Sequence, residues 1–319
     1  MTEILTITLN PTLDLSAETA QVTAGPKLRL EEPVAEPGGG GINVARAIVA
    51  MGGRARAVAA LGGTTGTRLL GLLEPSGVSV AAFLLAGETR QSLAVTETTT
   101  GQQYRFVLPG PQWTPAQVGE LLDRLADDVR RMGSGAVVVL SGSQPPGVPA
   151  GFAQDLARRI PQARLIVDTS GAALTQVVEH PDPQAPVYAL RMDHGESEAL
   201  AGRSLAQVTD SLDYAQSLVA AGVAQVVILA RGSQGSVLAT TDLRLHCAPP
   251  EVPVKSKVGA GDSFTGGFAL ALAQGQSPEA ALRLGTAAAA AAVMTPGSAL
   301  CRGEDVIRIE AQCRLSALA

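Results

Sequence analysis

The feature that most constrains this chain is a set of short branched-aliphatic runs, at residues 4–9, 55–61, 136–140, 165–168, 187–190 and 226–230. Most are apolar on both faces instead of alternating with polar residues, so each predicts a strand covered from two sides. Amphipathic stretches with helical spacing lie between them, at 43–51, 65–73, 115–131, 151–159, 205–221, 262–273 and 278–294. Strands buried on both faces and separated by helices predict an α/β fold, a doubly wound and mostly parallel sheet with helices on each face. Two stretches break the rhythm, about 12–37 and 86–108, and read as strands without helices. Within the second, 91–98 and 103–108 flank Thr99-Thr100-Gly101-Gln102, a hairpin pattern with glycine in the turn. A small protruding sheet, a lid over the carboxyl ends of the central strands, accounts for both stretches and offers a face for a homodimer.

At 319 residues the chain can bury a large core, and no linker, repeat or charge block divides it, so 1–319 is expected to form a single domain. A net charge of −5 supplies no long-range attraction to nucleic acid or anionic lipid, and any anionic ligand would need locally placed cations. Cys247, Cys301 and Cys313 are scattered and lack metal-ligand spacing, which predicts unpaired thiols in a reducing cytoplasm. The opening residues, Met1 to Thr6, have no basic n-region or cleavage site. The alanine-rich run 286–294 is far shorter than the roughly 20 residues a membrane span needs, so a cytoplasmic protein with no membrane partner is expected.

Two glycine-rich segments carry the chemistry. Val258-Gly259-Ala260-Gly261-Asp262-Ser263-Phe264 leads into a helix. Glycines let backbone amides approach a ligand closely, and a helix start adds unpaired N–H groups and a positive dipole end, which together make an anion hole. Asp262 at its mouth could take a proton from a hydroxyl while the amides stabilise a phosphoryl group in transfer, or it could simply cap the helix. Pro37-Gly38-Gly39-Gly40-Gly41-Ile42-Asn43 also runs into a helix, and so bare a backbone suits a polyhydroxylated ligand, or a hinge ending in a cap at Asn43. Neither the dinucleotide GxGxxG fingerprint nor a GxxxxGK[ST] loop is present. His180, His194 and His246 form no ligand pattern, and Ser141 and Ser143 lack a nucleophile elbow.

These two segments in this order, together with Asn10-Pro11-Thr12-Leu13-Asp14 and Ser141-Gly142-Ser143-Gln144-Pro145-Pro146-Gly147, resemble the ribokinase-like (PfkB) carbohydrate kinases, and most of all their bacterial phosphofructokinase branch. The resemblance runs from Ile4 to about Cys301. It implies ATP-dependent phosphoryl transfer to the 1-hydroxyl of fructose 6-phosphate, with Mg²⁺ and in some members a monovalent cation such as K⁺ near 295–299. Asp262 would then be the general base, with the amides of Gly259, Ala260 and Gly261 as the anion hole. Asp14, Gly38, Gly39, Gly40, Gly41, Asn43 and Ser143 would line the sugar site. Lys27 and Arg90 match positions that hold the sugar's existing phosphate, Lys27 reaching the neighbouring subunit's site, and Arg105 lies on the same sheet as an auxiliary.

The nucleotide side departs from the family pattern. Where the family has Lys-Pro-Asn-x-x-Glu, this chain reads Arg191-Met192-Asp193-His194-Gly195-Glu196. Glu196 is retained as support for Mg²⁺, Asp193 is a plausible oxygen partner for the metal shell, and Arg191 keeps the cation with a different reach. Ala230, Gly232 and Gly235 fall where the family contacts nucleotide phosphates and ribose, and Lys257 is a cation beside the phosphate path. Tagatose 6-phosphate kinase, 1-phosphofructokinase and a non-catalytic sugar-phosphate or nucleotide sensor remain open at this level, because a few hydroxyl contacts decide among them.

Overall fold

The computed structural model describes residues 3–318; positions 1, 2 and 319 of the expected single domain lie outside them. The first third of the chain runs β1 (Ile4–Thr8), β2 (Thr12–Thr19), β3 (Val34–Gly38), α1 (Gly40–Ala50), β4 (Ala55–Gly62), α2 (Gly63–Leu73), β5 (Ser79–Leu85), β6 (Arg90–Glu97) and β7 (Gln103–Val107). Next come α3 (Pro115–Met132), β8 (Val137–Ser141), α4 (Phe152–Arg159), β9 (Arg164–Asp168), α5 (Gly171–Glu179), β10 (Val187–Met192), α6 (His194–Ala201), α7 (Val208–Ala220) and β11 (Ala224–Ala230). The chain finishes with β12 (Ser236–Ala239), β13 (Arg244–Ala248), α8 (Ala260–Ala273), α9 (Pro278–Val293), α10 (Gly303–Glu310) and β14 (Arg314–Ala317).

Ten strands form one sheet in the order β14-β13-β12-β11-β10-β9-β8-β1-β4-β5. The stretch from β5 to β11 is parallel throughout, and β12, β13 and β14 add an antiparallel edge. The doubly apolar runs follow from this layering. In β8, Val138 and Leu140 point into a core closed by α3, α4, α5 and α7, while Val137 and Val139 point into one closed by α1, α8 and α9. Each fully buried aliphatic of this kind contributes about 1.5–3 kcal/mol, which is why neither face can be polar. The strands β4 and β5 lie on one side of β1 and β8 to β11 on the other. The winding therefore reverses at β1, and the crevice beyond the carboxyl ends of β1 and β8 is where such folds bind ligands.

The stretches 12–37 and 86–108 pair as expected into a separate four-stranded sheet, β3-β2-β6-β7. The hairpin turn relies on Gly101, whose φ of +73° lies in the left-handed region. One face of this sheet carries Asp14, Glu36, Arg90 and Arg105, and the other carries Leu13, Leu93 and Val95. Its strand β3 is tied to the main body by the Ser298 hydroxyl, which donates to Glu36.

Several elements were not expected from the sequence. The strands β12 to β14 are only 4–5 residues long, β5 is a half-exposed edge strand although its residues 80–85 are all apolar, and α5, α6 and α10 run only 8–9 residues each. Helix α7 begins at Val208 and not near Leu205. The buried Arg231 side chain donates to the carbonyls of Leu205 and Ala206 and holds that stretch out of the helix. Among the described residues no helix is long and apolar enough to cross a membrane, and the alanine-rich run ends α9 as a packed helix. The three cysteines are free, Cys247 and Cys301 being buried, and burial pushes the Cys301 thiol up to about 11, which leaves it inert.

Candidate active site

The two glycine-rich segments converge. Helix α8 begins at Ala260, two residues before the expected start, with Gly259 as its cap residue at φ +75°. Asp262 is therefore the third residue of the first turn, and its carboxylate does not cap the helix. It accepts a hydrogen bond from Asn43 Nδ2 at 2.9 Å across a separation of 219 residues. Asn43 likewise sits inside α1, which starts at Gly40, and so is not a cap. Its Oδ1 accepts from Arg46, which also donates to the Pro37 carbonyl at 3.2 Å and so ties the glycine run to the helix. Both helix N-termini, with their unpaired first-turn amides, thus open on one point in the crevice.

The electrostatics at that point suit a base. Burial and then the neighbouring Asp168 carboxylate push Asp262 up to about 6, against the opposing pull of Asn43, Arg191 and Arg46. The sequence pattern does not single out Asp168, at the end of β9, nor Thr265 and Arg46. Thr265 Oγ1 donates to Asp168 at 2.8 Å, and Arg191 pairs with Asp168 at 3.2 Å. The available signal was an acidic residue ending a parallel strand, where ligands of such folds bind. Arg191 is thereby engaged by protein, and its guanidinium lies over Gly261, where a Cβ would come within 2.7 Å of Nη1.

Glycine at 38 to 41 answers to packing between elements. A Cβ would fall 2.0 Å from Asp14 Oδ2 at Gly38, 2.3 Å from Ser141 Oγ at Gly40 and 2.4 Å from the Ile7 carbonyl at Gly41, and Gly39 has φ +118°. From the sequence alone, this bareness suits either ligand approach or a hinge. The structure shows that seating α1 on the ends of β1 and β8 already demands it.

The lid contributes Asp14, Arg90 and Arg105. Burial raises the Asp14 pKa, and the adjacent Arg90 and Arg105 pull it back. Arg90 is half-buried and donates from Nε to the Asn10 carbonyl at 3.2 Å, whereas Arg105 is exposed. Lys27 lies exposed in the connection between β2 and β3. Ser143 accepts from Asn10 Nδ2 at 3.2 Å.

Where the sequence pattern leads one to expect the nucleotide, Asp193 and Glu196 form a reciprocal cap at the start of α6. Glu196 N donates to Asp193 Oδ1 at 2.8 Å and Asp193 N donates to Glu196 Oε2 at 2.9 Å, so one oxygen of each carboxylate is committed to the helix. Among the described residues no three His, Cys, Asp or Glu side chains group to hold a metal ion. Gly232 is exposed in a 3₁₀ turn (Gly232–Gln234). Gly235 is fixed by β13, because a Cβ there would sit 1.9 Å from the Cys247 carbonyl. Ala230 is half-buried and Lys257 exposed.

A ribokinase-like layout with an acid between two glycine-led helices defines a class. The model of the pfkB family carbohydrate kinases matches residues 3–304, and the chain belongs to that family. The ATP-dependent 6-phosphofructokinase isozyme 2 of Escherichia coli K12 is 39% identical over 316 residues, covering 98% of this chain and 99% of the relative. The isozyme 2 of Mycobacterium tuberculosis is 39% identical over 308 residues, 96% of this chain and 88% of the relative. Crystal structures of E. coli phosphofructokinase-2 superpose over 98% of this chain and 99% of theirs at 38% identity, with TM-scores of 0.89 for the complex with potassium and 0.87 for the complex with fructose 6-phosphate.

Proposed function

We propose that this chain is an ATP-dependent 6-phosphofructokinase that phosphorylates the 1-hydroxyl of fructose 6-phosphate. The observation that carries the mechanism is the Asn43–Asp262 hydrogen bond, which sets a carboxylate tuned to about 6 between the two helix N-termini. Asp262 takes the proton of the acceptor hydroxyl as its oxygen attacks the γ-phosphorus. The bond from phosphorus to the bridging oxygen breaks, and ADP leaves with that electron pair. The first-turn N–H groups of the 259–261 loop offset the charge on the transferring group, and Asn43 fixes which Asp262 oxygen faces the substrate.

Binding of the acceptor falls to the lid and the crevice. Arg90, with Arg105 beside it, supplies cationic donors for the 6-phosphate, Asp14 and Ser143 offer acceptor and donor groups to the sugar hydroxyls, and Gly38 to Gly41 form the floor. Lys27, exposed in its own subunit, is suited to reach a partner's phosphate. Leu28, Leu30, Val34, Phe106, Val107 and Leu108 lie exposed on or beside the lid, Val34 at 62% and Phe106 at 56%, and support a homodimer through this sheet.

Mg²⁺ would be held through water and nucleotide phosphates by the remaining oxygens of Glu196 and Asp193, a donor set that fits an ion keeping most of its waters, and it would neutralise phosphate charge. Arg191, Ala230, Gly232, Gly235 and Lys257 border the nucleotide. A monovalent cation such as K⁺ would rest on carbonyls of the loop bridged by the Ser256 hydroxyl, which donates to the Gly297 carbonyl at 2.6 Å. ADP release with MgATP against fructose 6-phosphate, fructose 1-phosphate, tagatose 6-phosphate and free fructose tests the assignment. Preference for fructose 6-phosphate is expected; preference for another phosphorylated ketohexose reassigns the substrate, and ATP binding with no ADP release on any of them rejects the kinase.

A further inference from the structure

Asn10 ends the segment after β1, at the point where the winding of the sheet reverses, and it is 7% exposed. Its side-chain amide donates to Ser143 Oγ at 3.2 Å, and its backbone carbonyl accepts from Arg90 Nε at 3.2 Å. One residue therefore touches both the loop after β8 and the lid strand β6. Pro11 follows it and restricts the Asn10 backbone, which limits where the carbonyl can point. The other end of the amide is closely packed. Asn10 Oδ1 has no hydrogen-bond partner and faces the bare α-carbon of Gly110, where a Cβ would lie 2.1 Å away. In this orientation the oxygen lies against Gly110 and the NH₂ group donates to Ser143.

A hydroxyl has one proton and two lone pairs. When Asn10 donates to Ser143 Oγ, it occupies a lone pair and leaves the Ser143 proton to point elsewhere. We propose that Asn10 is a positioning residue for the phosphorylated sugar: it sets Ser143 as a hydrogen-bond donor into the crevice and, through its carbonyl, holds the Arg90 guanidinium at the phosphate end. Asn10 touches no reacting atom and acts through these two neighbours. The inference rests on the fructose 6-phosphate reading of the crevice.

The Asn10→Leu variant tests it, because it keeps the volume and the backbone carbonyl and removes only the amide. Losing one oriented neutral hydrogen bond is expected to raise KM for fructose 6-phosphate by about 3- to 10-fold, with KM for MgATP unchanged. Ser143→Ala should raise the same KM, and the double variant should be no worse than Ser143→Ala alone, since Asn10 has nothing left to orient. A wild-type KM for the sugar in Asn10→Leu overturns the proposal, and so does a full additional rise on top of Ser143→Ala. Asn10→Ser, small enough to fold if leucine is not tolerated, should show the same non-additivity. If instead the wild-type protein releases no ADP with fructose 6-phosphate, the functional reading has failed. The same cycle is then read by calorimetric titration of fructose 6-phosphate, fructose 1-phosphate and tagatose 6-phosphate. Non-additivity there supports Asn10, and additivity, or binding of none of the three, overturns it.

Discussion

At the residue scale the proposed chemistry turns on Asp262. A base raised to about 6 is charged at neutral pH yet close enough to the working pH to accept a proton readily. The expected kcat/KM is flat above about pH 7 and falls roughly tenfold per unit below about 6, as the base is protonated. A pH profile flat down to 5 would remove Asp262 from the role. The same shift has a cost in stability. Because the folded-state pKa lies above the ordinary value of 3.8, the contribution of Asp262 to stability is present at low pH and is lost as pH rises through about 6. Asp262→Asn should therefore lose about 10²–10⁴ in turnover while unfolding at a higher temperature than the wild type at pH 7. Near pH 4 that thermal difference should vanish, and equal melting temperatures at pH 7 would contradict the burial argument.

At the scale of elements, the packing of helices against strands sets the candidate site. Helix α1 reaches it only because Gly40 and Gly41 let its first turn lie on Ser141 and on the Ile7 carbonyl. Gly41→Ala would drive a Cβ into that carbonyl, and the rigid neighbours are backbone, so relief requires α1 to move. A loss of about 2–4 kcal/mol in urea unfolding is expected, together with weaker activity because Asn43 shifts off Asp262. The connection between α6 and α7 depends similarly on Arg231, buried at 6% exposure, whose guanidinium satisfies Leu205 O and Ala206 O, each at 2.8 Å, and the Ser211 hydroxyl. Removing it in Arg231→Ala strands these acceptors, and thermal unfolding should register a cost of about 2–4 kcal/mol.

For the whole molecule, the proposed function joins assembly and acceptor binding in the lid. Its charged face carries Asp14, Arg90 and Arg105, and several apolar side chains on and beside it stand in solvent in the single chain. Burial of this sheet against a second copy would remove that exposure, and Phe106→Asp would place a charge in the contact. Light scattering should give a dimer for the wild type and a monomer for the variant. If Lys27 reaches across the dimer, the monomer should also show a raised KM for fructose 6-phosphate with little change in KM for MgATP. A dimer that survives both Phe106→Asp and Val34→Asp would place the subunit contact elsewhere.

Much of this was legible without coordinates. The doubly apolar runs determined a parallel sheet with helices on both faces, because a strand buried on two sides cannot carry an alternating pattern. The interrupted rhythm and the Thr99–Gln102 turn gave away the lid. The two glycine-rich segments, which meet at Asn43 and Asp262, pointed to the candidate site, since glycine before a helix is the local signature of exposed amides. The strands β12 to β14 and helices α5, α6 and α10 were not legible, because elements this short carry too little periodicity to stand out unless a full apolar run marks them, as it does in β8 and β9. What only the tertiary structure decided is which distant groups meet: Asn43 with Asp262, Asp168 with Arg191 and Thr265, and Asn10 with Ser143 and Arg90. Local pattern reports how a residue relates to its own helix or strand, whereas these pairings are set by strand order, where β1 comes to lie between β4 and β8. The charge state of Asp262 belongs to that second category, because burial and a neighbouring carboxylate exist only once the chain has folded.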